Sequence, residues 1–115
     1  MDSKNLILDL SRKFALEIIE YVELLEKNRK FVIATQLLKS GTSIGANIHE
    51  AQSAESKIDF MHKFKIADKE AQETEYWLML CQLSEKYPSP PFVLLEDLKS
   101  IKNIVSKIII SSKKI

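Results

Sequence analysis

Gln36-Leu37-Leu38-Lys39-Ser40-Gly41-Thr42-Ser43-Ile44-Gly45-Ala46-Asn47-Ile48-His49-Glu50-Ala51 carries two helical stripes in one segment. Leu37, Gly41, Ile44, Gly45 and Ile48 form an apolar or tiny stripe. Gln36, Ser40, Ser43, Asn47 and Glu50 recur every three or four residues, the spacing that aligns side chains on one helix face. This second stripe is uncharged through most of its length, whereas a solvated face is normally richer in Lys and Glu. A glycine costs about 1 kcal/mol in a helix interior, so Gly41-x-x-x-Gly45 inside a helical pattern points to another backbone approaching closely. The segment specifies an unusual helix and names no chemistry.

Outward from it lie three more helical patterns and no strand pattern. The first begins at Asn5 or Ser11 and runs to Lys27, with Leu10, Phe14, Ile18, Tyr21, Val22 and Leu25 on one side. Asn28 either ends it or caps the next helix, and so short a connection makes the second helix, Lys30 to Gln52, fold back antiparallel. Ser56, followed three residues later by Asp59, is a weak capping box that opens helix three. Phe60, Phe64, Ala67, Ala71, Thr74, Leu78 and Cys81 then repeat in 4-3 steps, a coiled-coil-like seam. Tyr87-Pro88-Ser89-Pro90-Pro91 breaks that helix, and Ser89 with Pro90 reads as cap and first position of the last. Leu94, Leu98, Ile101, Val105 and Ile108 form its stripe. The expected fold is all-α, an antiparallel up-and-down four-helix bundle, with residues 1–115 as a single domain.

Composition agrees. The 115 residues are 45% hydrophobic and 29% charged, which fits a globular helical protein rather than a disordered chain. A single Cys81 allows no internal disulfide and no cysteine-based metal site, as expected of a reducing cytoplasm. No signal-like segment and no apolar run approaching the ~18 residues of a membrane span is present, so a cytoplasmic protein without membrane contact is expected. The net charge of +1 hides a gradient. From Leu98 onward there are five lysines (Lys99, Lys102, Lys107, Lys113, Lys114) and no acid. They either complement the helix macrodipole or form a footprint for phosphates.

Catalytic and metal constellations are incomplete. His49-Glu50 starts a zinc-protease pattern, but Ser53 stands at the second histidine position. Asp59-x-x-His62 is half of a di-iron bundle motif that needs a second such pair and further inward carboxylates. Ser40 and Ser43 lie near no paired His and Asp, and Cys81 sits on an apolar seam where a thiol is inert packing. No enzyme activity, catalytic residue, metal or cofactor is expected. The polar stripe of helix two either fixes register against Glu70, Glu73 and Glu75 of helix three, with Asn47 or Ser43 facing a carboxylate, or forms a site for a ligand or partner.

Residues 36–51, together with Ser56-Lys57-x-Asp59-Phe60-x-x-Lys63 and Lys69-Glu70-Ala71-x-Glu73-Thr74-Glu75-Tyr76-Trp77-Leu78, resemble the four-helix bundle proteins encoded within intervening sequences of bacterial 23S rRNA genes. The likeness covers Asn5 to about Ile109. It implies a small bundle, often a ring of five subunits, with no catalytic residues assigned. A related group, the accessory variability determinant proteins of diversity-generating retroelements, binds nucleic acid and a reverse transcriptase, so RNA, DNA and such an enzyme are the implied partners. Two departures stand out: Lys39 where an Arg is usual, and His49 where Ala or Arg is frequent.

Apolar residues outside the four stripes fit that picture. Tyr76, Trp77, Met79, Leu80 and Leu83 surround the end of helix three, and Ile104 and Ile109 widen helix four. They make either a thick core or the flank of a homo-oligomer, expected to be a pentamer. Two functions follow from these readings. One is a nucleic-acid-binding accessory protein contacting phosphates through Lys99, Lys102 and Lys107, helped by Arg12, Lys13 and Lys39. The other is a protein-interaction scaffold without nucleic-acid binding.

Overall fold

The computed structural model describes residues 3–113. It consists of α1 (Ser3–Lys27), α2 (Phe31–Ala51), α3 (Lys57–Leu83) and α4 (Phe92–Lys113). The bundle measures 48 × 21 × 21 Å. Its accessible surface of 7125 Å² exceeds the roughly 6,400 Å² that size scaling gives for a rounder protein of this mass, as expected of a rod. Each helix packs on two neighbours: α1 on α2 and α4, and α3 on α2 and α4, while the diagonal pairs stay apart. Antiparallel register shows in the partners. Between α2 and α3, Glu50 meets Lys63 while Ser40 meets Thr74. Between α1 and the C-terminal part of the chain, Lys13 meets Asp97 of α4 while Tyr21 meets Pro88 in the connection that precedes it.

Local chemistry explains the helix ends. α1 starts at Ser3, ahead of both expected positions, and Asn28 ends it rather than capping α2. Arg29 follows with φ 61, and the Lys30 and Arg29 amides donate to the carbonyls of Leu25 and Glu26, both at 2.9 Å. This is a Schellman turn with arginine at the left-handed position that usually takes glycine. α2 is then entered with no side-chain cap. At α3, Ser56 Oγ accepts from the Asp59 amide at 3.0 Å, while Asp59 reaches back to the Glu55 amide at 3.3 Å. This is the expected capping box, closed one residue upstream.

The start of α4 differs from expectation. Ser89 and Pro90 are not its cap and first position; the helix begins at Phe92, and the Pro91 carbonyl accepts from the Leu94 amide at 3.0 Å. The cause is the proline pair: Pro91 pushes the preceding residue out of helical backbone, so Pro90 stays outside the helix and is buried instead. Tyr21 pins this connection by donating its hydroxyl to the Pro88 carbonyl at 2.6 Å.

The stripes converge on one core. Phe14, Ile18, Leu25, Leu37, Ile44, Ile48, Phe64, Leu78, Leu94 and Ile101 are fully or almost fully buried, each contributing about 1.5–3 kcal/mol relative to exposure. The α3 seam is buried from Phe64 to Cys81, with Phe60 half-buried and stacked at 4.8 Å on Phe64. Burial pushes the Cys81 thiol up, partly offset by the Tyr21 hydroxyl, which keeps it a neutral packing group.

Gly41 and Gly45 sit on the side of α2 that faces α1. A Cβ on Gly41 would lie 2.9 Å from both Cγ1 and Cγ2 of the fully buried Ile18, and one on Gly45 would lie 3.3 Å from the Ser11 carbonyl oxygen. The expected close crossing is therefore between α1 and α2. Chemical denaturation should show Gly41→Ala destabilised despite the roughly 1 kcal/mol that alanine gains in helix propensity, and Gly41→Leu losing more than the ~1–3 kcal/mol of ordinary overpacking. Gly45→Ala should fall near zero, its smaller clash offset by the same propensity. A Gly41→Ala protein more stable than wild type would show that Ile18 can move aside.

Candidate interaction surfaces

The polar stripe of α2 lies along the seam with α3. Ser40 is buried, Gln36, Ser43 and Asn47 are half-buried, and Glu50 is exposed. Its partners differ from the expected carboxylates. Asn47 Nδ2 donates to the Ser43 carbonyl of its own helix at 2.9 Å, and Glu50 receives Lys63 at 3.0 Å. Glu73 accepts from Trp77 Nε1 at 3.1 Å and Glu75 from Lys102 at 2.8 Å, so both are engaged elsewhere. Glu70 alone keeps to the α2 side: burial, followed by repulsion from Glu73, raises its carboxyl above the usual range, and Lys39 opposes the shift. The buried polar link between the helices is instead a hydroxyl pair, Ser40 Oγ and Thr74 Oγ1 at 2.9 Å. Thr74 is also 2.7 Å from the Glu70 carbonyl; when its single proton goes there, the interhelical proton comes from Ser40.

The six cations expected to meet phosphates do not form one patch. Arg12 pairs loosely with Asp9 at 3.5 Å. Lys13 bridges Asp97 of α4 at 2.6 Å and Glu17 at 3.3 Å. Lys102 is tied to Glu75 of α3. Lys39, Lys99 and Lys107 hold no ion pair among the described residues, and all three are exposed. Lys113 is exposed at the end of α4, and Lys114 lies outside the described residues. At 100° per residue Lys107 points well away from Lys99 and Lys102 on α4. Asp97 and Glu17 share Lys13 closely. Glu17 is mostly buried with Oε1 lacking a hydrogen-bond partner, and burial followed by the Asp97 carboxylate raises its carboxyl above the ordinary value.

The surplus apolar residues divide. Trp77, Ile104 and Ile109 are half-buried against the core, and Leu80 is half-buried too, so this part thickens the core. Tyr76, Met79 and Leu83 are exposed. They belong to a larger collection that sequence reading missed: Phe31 and Val32 open α2, Phe92 and Val93 open α4, and all four are exposed. The α1–α2 turn and the α3–α4 connection lie at the same end of the bundle, where the Lys30 ammonium stands 5.1 Å from the Tyr87 ring centroid. The sequence signal was the Phe-Val pair repeated at two helix starts, off the core stripe.

Toward the other end, α1 and α2 enclose a groove of about 180 Å³. Leu8, Ala15 and Ala46 wall it, Gly45 lines it, and Arg12 and His49 are its ionisable groups. The hydroxyls of Ser11 and Thr42 also reach it, but these donate to the carbonyls of Leu8 and Leu38 in their own helices. Among the described residues no three His, Cys, Asp or Glu side chains come together to hold a metal ion, and no helix is long and apolar enough to cross a membrane.

Comparison with known proteins gives the setting. The family described as 23S rRNA-intervening sequence protein matches residues 3–110. A crystal structure of a protein of unknown function from the S23 ribosomal protein family of Bacteroides thetaiotaomicron superposes with a TM-score of 0.88 and 41% identity, covering 94% of this chain and 98% of that one. No curated protein matches.

Two measurements probe these surfaces. Thr74→Val strands the Ser40 hydroxyl and Ser40→Ala removes its partner, so in a double-mutant cycle the double variant should cost about 0.5–1.5 kcal/mol less than the sum of the singles. Additive costs would show that the hydroxyls are satisfied independently. For Glu17, a raised folded-state value means that stability is fully present below the ordinary 4.5 and is lost as pH rises through the raised value. Glu17→Gln should therefore be the more stable protein at neutral pH, with the gap closing on acidification; the reverse trend would show that the Lys13 pairing dominates.

Proposed function

The chain belongs to the 23S rRNA-intervening sequence protein family, and we propose that it is a non-enzymatic accessory protein that self-assembles through the apolar end of its bundle and presents repeated lysines to RNA or DNA in the cytoplasm. The exposed residues at that end carry the reading. Val32 is 78% exposed and Leu83 and Phe92 are each 73% exposed, flanked by Phe31, Met79 and Val93. Other exposed apolar side chains stand elsewhere on the bundle, Ile58 at 81% among them; what distinguishes this end is that the starts of α2 and α4 and the end of α3 each contribute such residues, the anatomy of a contact surface. Assembly to five copies, as the family resemblance implies, would repeat Lys39, Lys99 and Lys107 around the particle. One copy offers a weak footprint, and repetition converts it to avidity. The chain carries no base-reading motif, so binding depends little on sequence.

A second reading has its own support. Lys13 and Lys102 are held in ion pairs between helices, which favours a scaffold for a protein partner, such as the reverse transcriptase bound by the related accessory proteins, over a dedicated phosphate surface.

Light scattering at micromolar concentration should give about 66 kDa, five chains of 13.2 kDa each, and Leu83→Glu with Phe92→Glu should return the protein to a single chain without loss of helicity. A 13.2 kDa wild-type species would remove the assembly. Lys99→Gln and Lys107→Gln should weaken binding equally for unrelated RNA and DNA, each flattening the salt dependence by roughly one phosphate contact, with Lys102→Gln doing less because Glu75 holds it. Absence of binding to any nucleic acid at low salt would leave the scaffold reading.

A further inference from the structure

The groove between α1 and α2 lies away from the apolar end and uses none of the free lysines. Its two ionisable groups, Arg12 and His49, are both nitrogen donors, and no carboxylate lines it. The guanidinium has one partner, the Asp9 carboxylate at 3.5 Å, with both side chains about two-thirds exposed. A single long contact of this kind is worth little and leaves most of the five N–H donors of the fork open. A phosphate can take two of them in parallel, the geometry for which arginine is the favoured side chain. His49 adds a ring N–H donor in either protonation state. Because Ser11 and Thr42 have their protons committed to helix carbonyls, the donors available to a ligand are those of Arg12 and His49. The remaining walls are apolar, and the volume of about 180 Å³ equals some six waters at ~30 Å³ each, more than one inorganic anion fills. An anionic head with a compact, weakly polar body attached fits both the charge and the space.

We infer that this groove is a nucleotide-phosphate site, with Arg12 and His49 holding the phosphate and Leu8, Ala15 and Ala46 covering the sugar or base. The inference rests on the nucleic-acid reading and assigns it a second point of contact, distinct from the exposed lysines. The nucleotide comes either from a strand or from the free pool, and the test separates the two.

The probes are uridine 5′-monophosphate, inorganic phosphate and a 5′-phosphorylated oligouridylate, titrated into the full chain by calorimetry and by amide chemical-shift mapping. The monophosphate should bind more tightly than inorganic phosphate, with shifts centred on Arg12, Gly45 and His49. Arg12→Gln should weaken it by about tenfold or more, the loss expected for a charge-assisted hydrogen-bonding pair. Ala46→Leu, at an exposed position, fills the groove while keeping both cations and should weaken binding similarly. Tighter binding of the oligonucleotide, lost in the same variants, assigns the groove to a strand; binding of the monophosphate without the oligonucleotide removes the nucleic-acid reading and keeps the groove as a site for free nucleotide. Oligonucleotide binding untouched by Arg12→Gln and Ala46→Leu but lost with Lys99→Gln and Lys107→Gln overturns the groove and leaves the nucleic-acid reading. Failure of every probe to bind, with circular dichroism unchanged, overturns both.

Discussion

The seating of Ile18 over Gly41 is the contact on which the remaining packing depends. With only 2.9 Å available to an added Cβ, α1 and α2 are as close as backbone and a β-branched side chain allow. A rigid Ile18, fully buried, cannot be swung aside cheaply. The same approach brings the Ser11 carbonyl over Gly45, so the two glycines set both the separation and the register of this pair. A one-turn slip toward the start of α2 would place Ile18 against Leu37 and force the helices apart, and a slip the other way would carry Ile18 onto Gly45 and Ser11 onto the larger side chains beyond it. The groove lies beside this crossing, and the small residues Ala15, Gly45 and Ala46 are among those that line it.

On its other side α2 is held by a different kind of interaction. Ser40 and Thr74 make a directional contact between two fully buried side chains, where a lost partner costs about 1–3 kcal/mol, and this favours one register without contributing much net stability. α4 has neither device. It touches α1 and α3 less extensively, and its ion pairs through Lys13 and Lys102 are at least partly exposed, worth about 0–1 kcal/mol each. Its attachment therefore comes from burial of Leu94, Leu98, Ile101 and Val105, and from the Pro88 carbonyl that anchors the preceding connection to Tyr21. A helix held mainly by non-directional burial is the one best able to adjust when the chain meets a partner.

The four helices, the seam of α3, the capping box at Ser56 and the close crossing at Gly41 were all legible because each depends on spacing along one helix or on one residue type. Features that depend on how two helices are rotated against each other were not. The pairing of Lys13 with Asp97 and of Lys102 with Glu75, which engages two of the six cations expected to meet phosphates, joins residues far apart in sequence. Asn47 could have reached across to α3; it turned back to Ser43 because an amide in a helix finds a carbonyl one turn away without any register requirement. Ser89 and Pro90 failed as a helix start because the signal for a cap was outweighed by the backbone restriction that Pro91 places on its predecessor. Trp77, which the sequence left open between thick core and interface flank, is half-buried against the core, since its position relative to the seam was clear but the reach of its ring was not.

The surface charges are consistent with this division of the molecule. Acidic side chains concentrate on α1 and α3, and two lysines, Lys13 and Lys102, are drawn into ion pairs between these helices and α4, while most other charges of both signs stand in no ion pair among the described residues and nearly cancel in the total of +1. Net charge then understates what the chain can offer an anion, because Lys39, Lys99, Lys107 and the loosely held Arg12 are among the exposed cations that no strong ion pair engages. The exposed Phe31, Val32, Leu83 and Phe92 lie at the end carrying both hairpin connections, whereas Arg12 and His49 lie toward the opposite end of the α1–α2 pair. Association through the first end would leave the second open to solvent. The rod shape of the bundle thus permits one surface to assemble the protein and another to bind a ligand, with neither blocking the other.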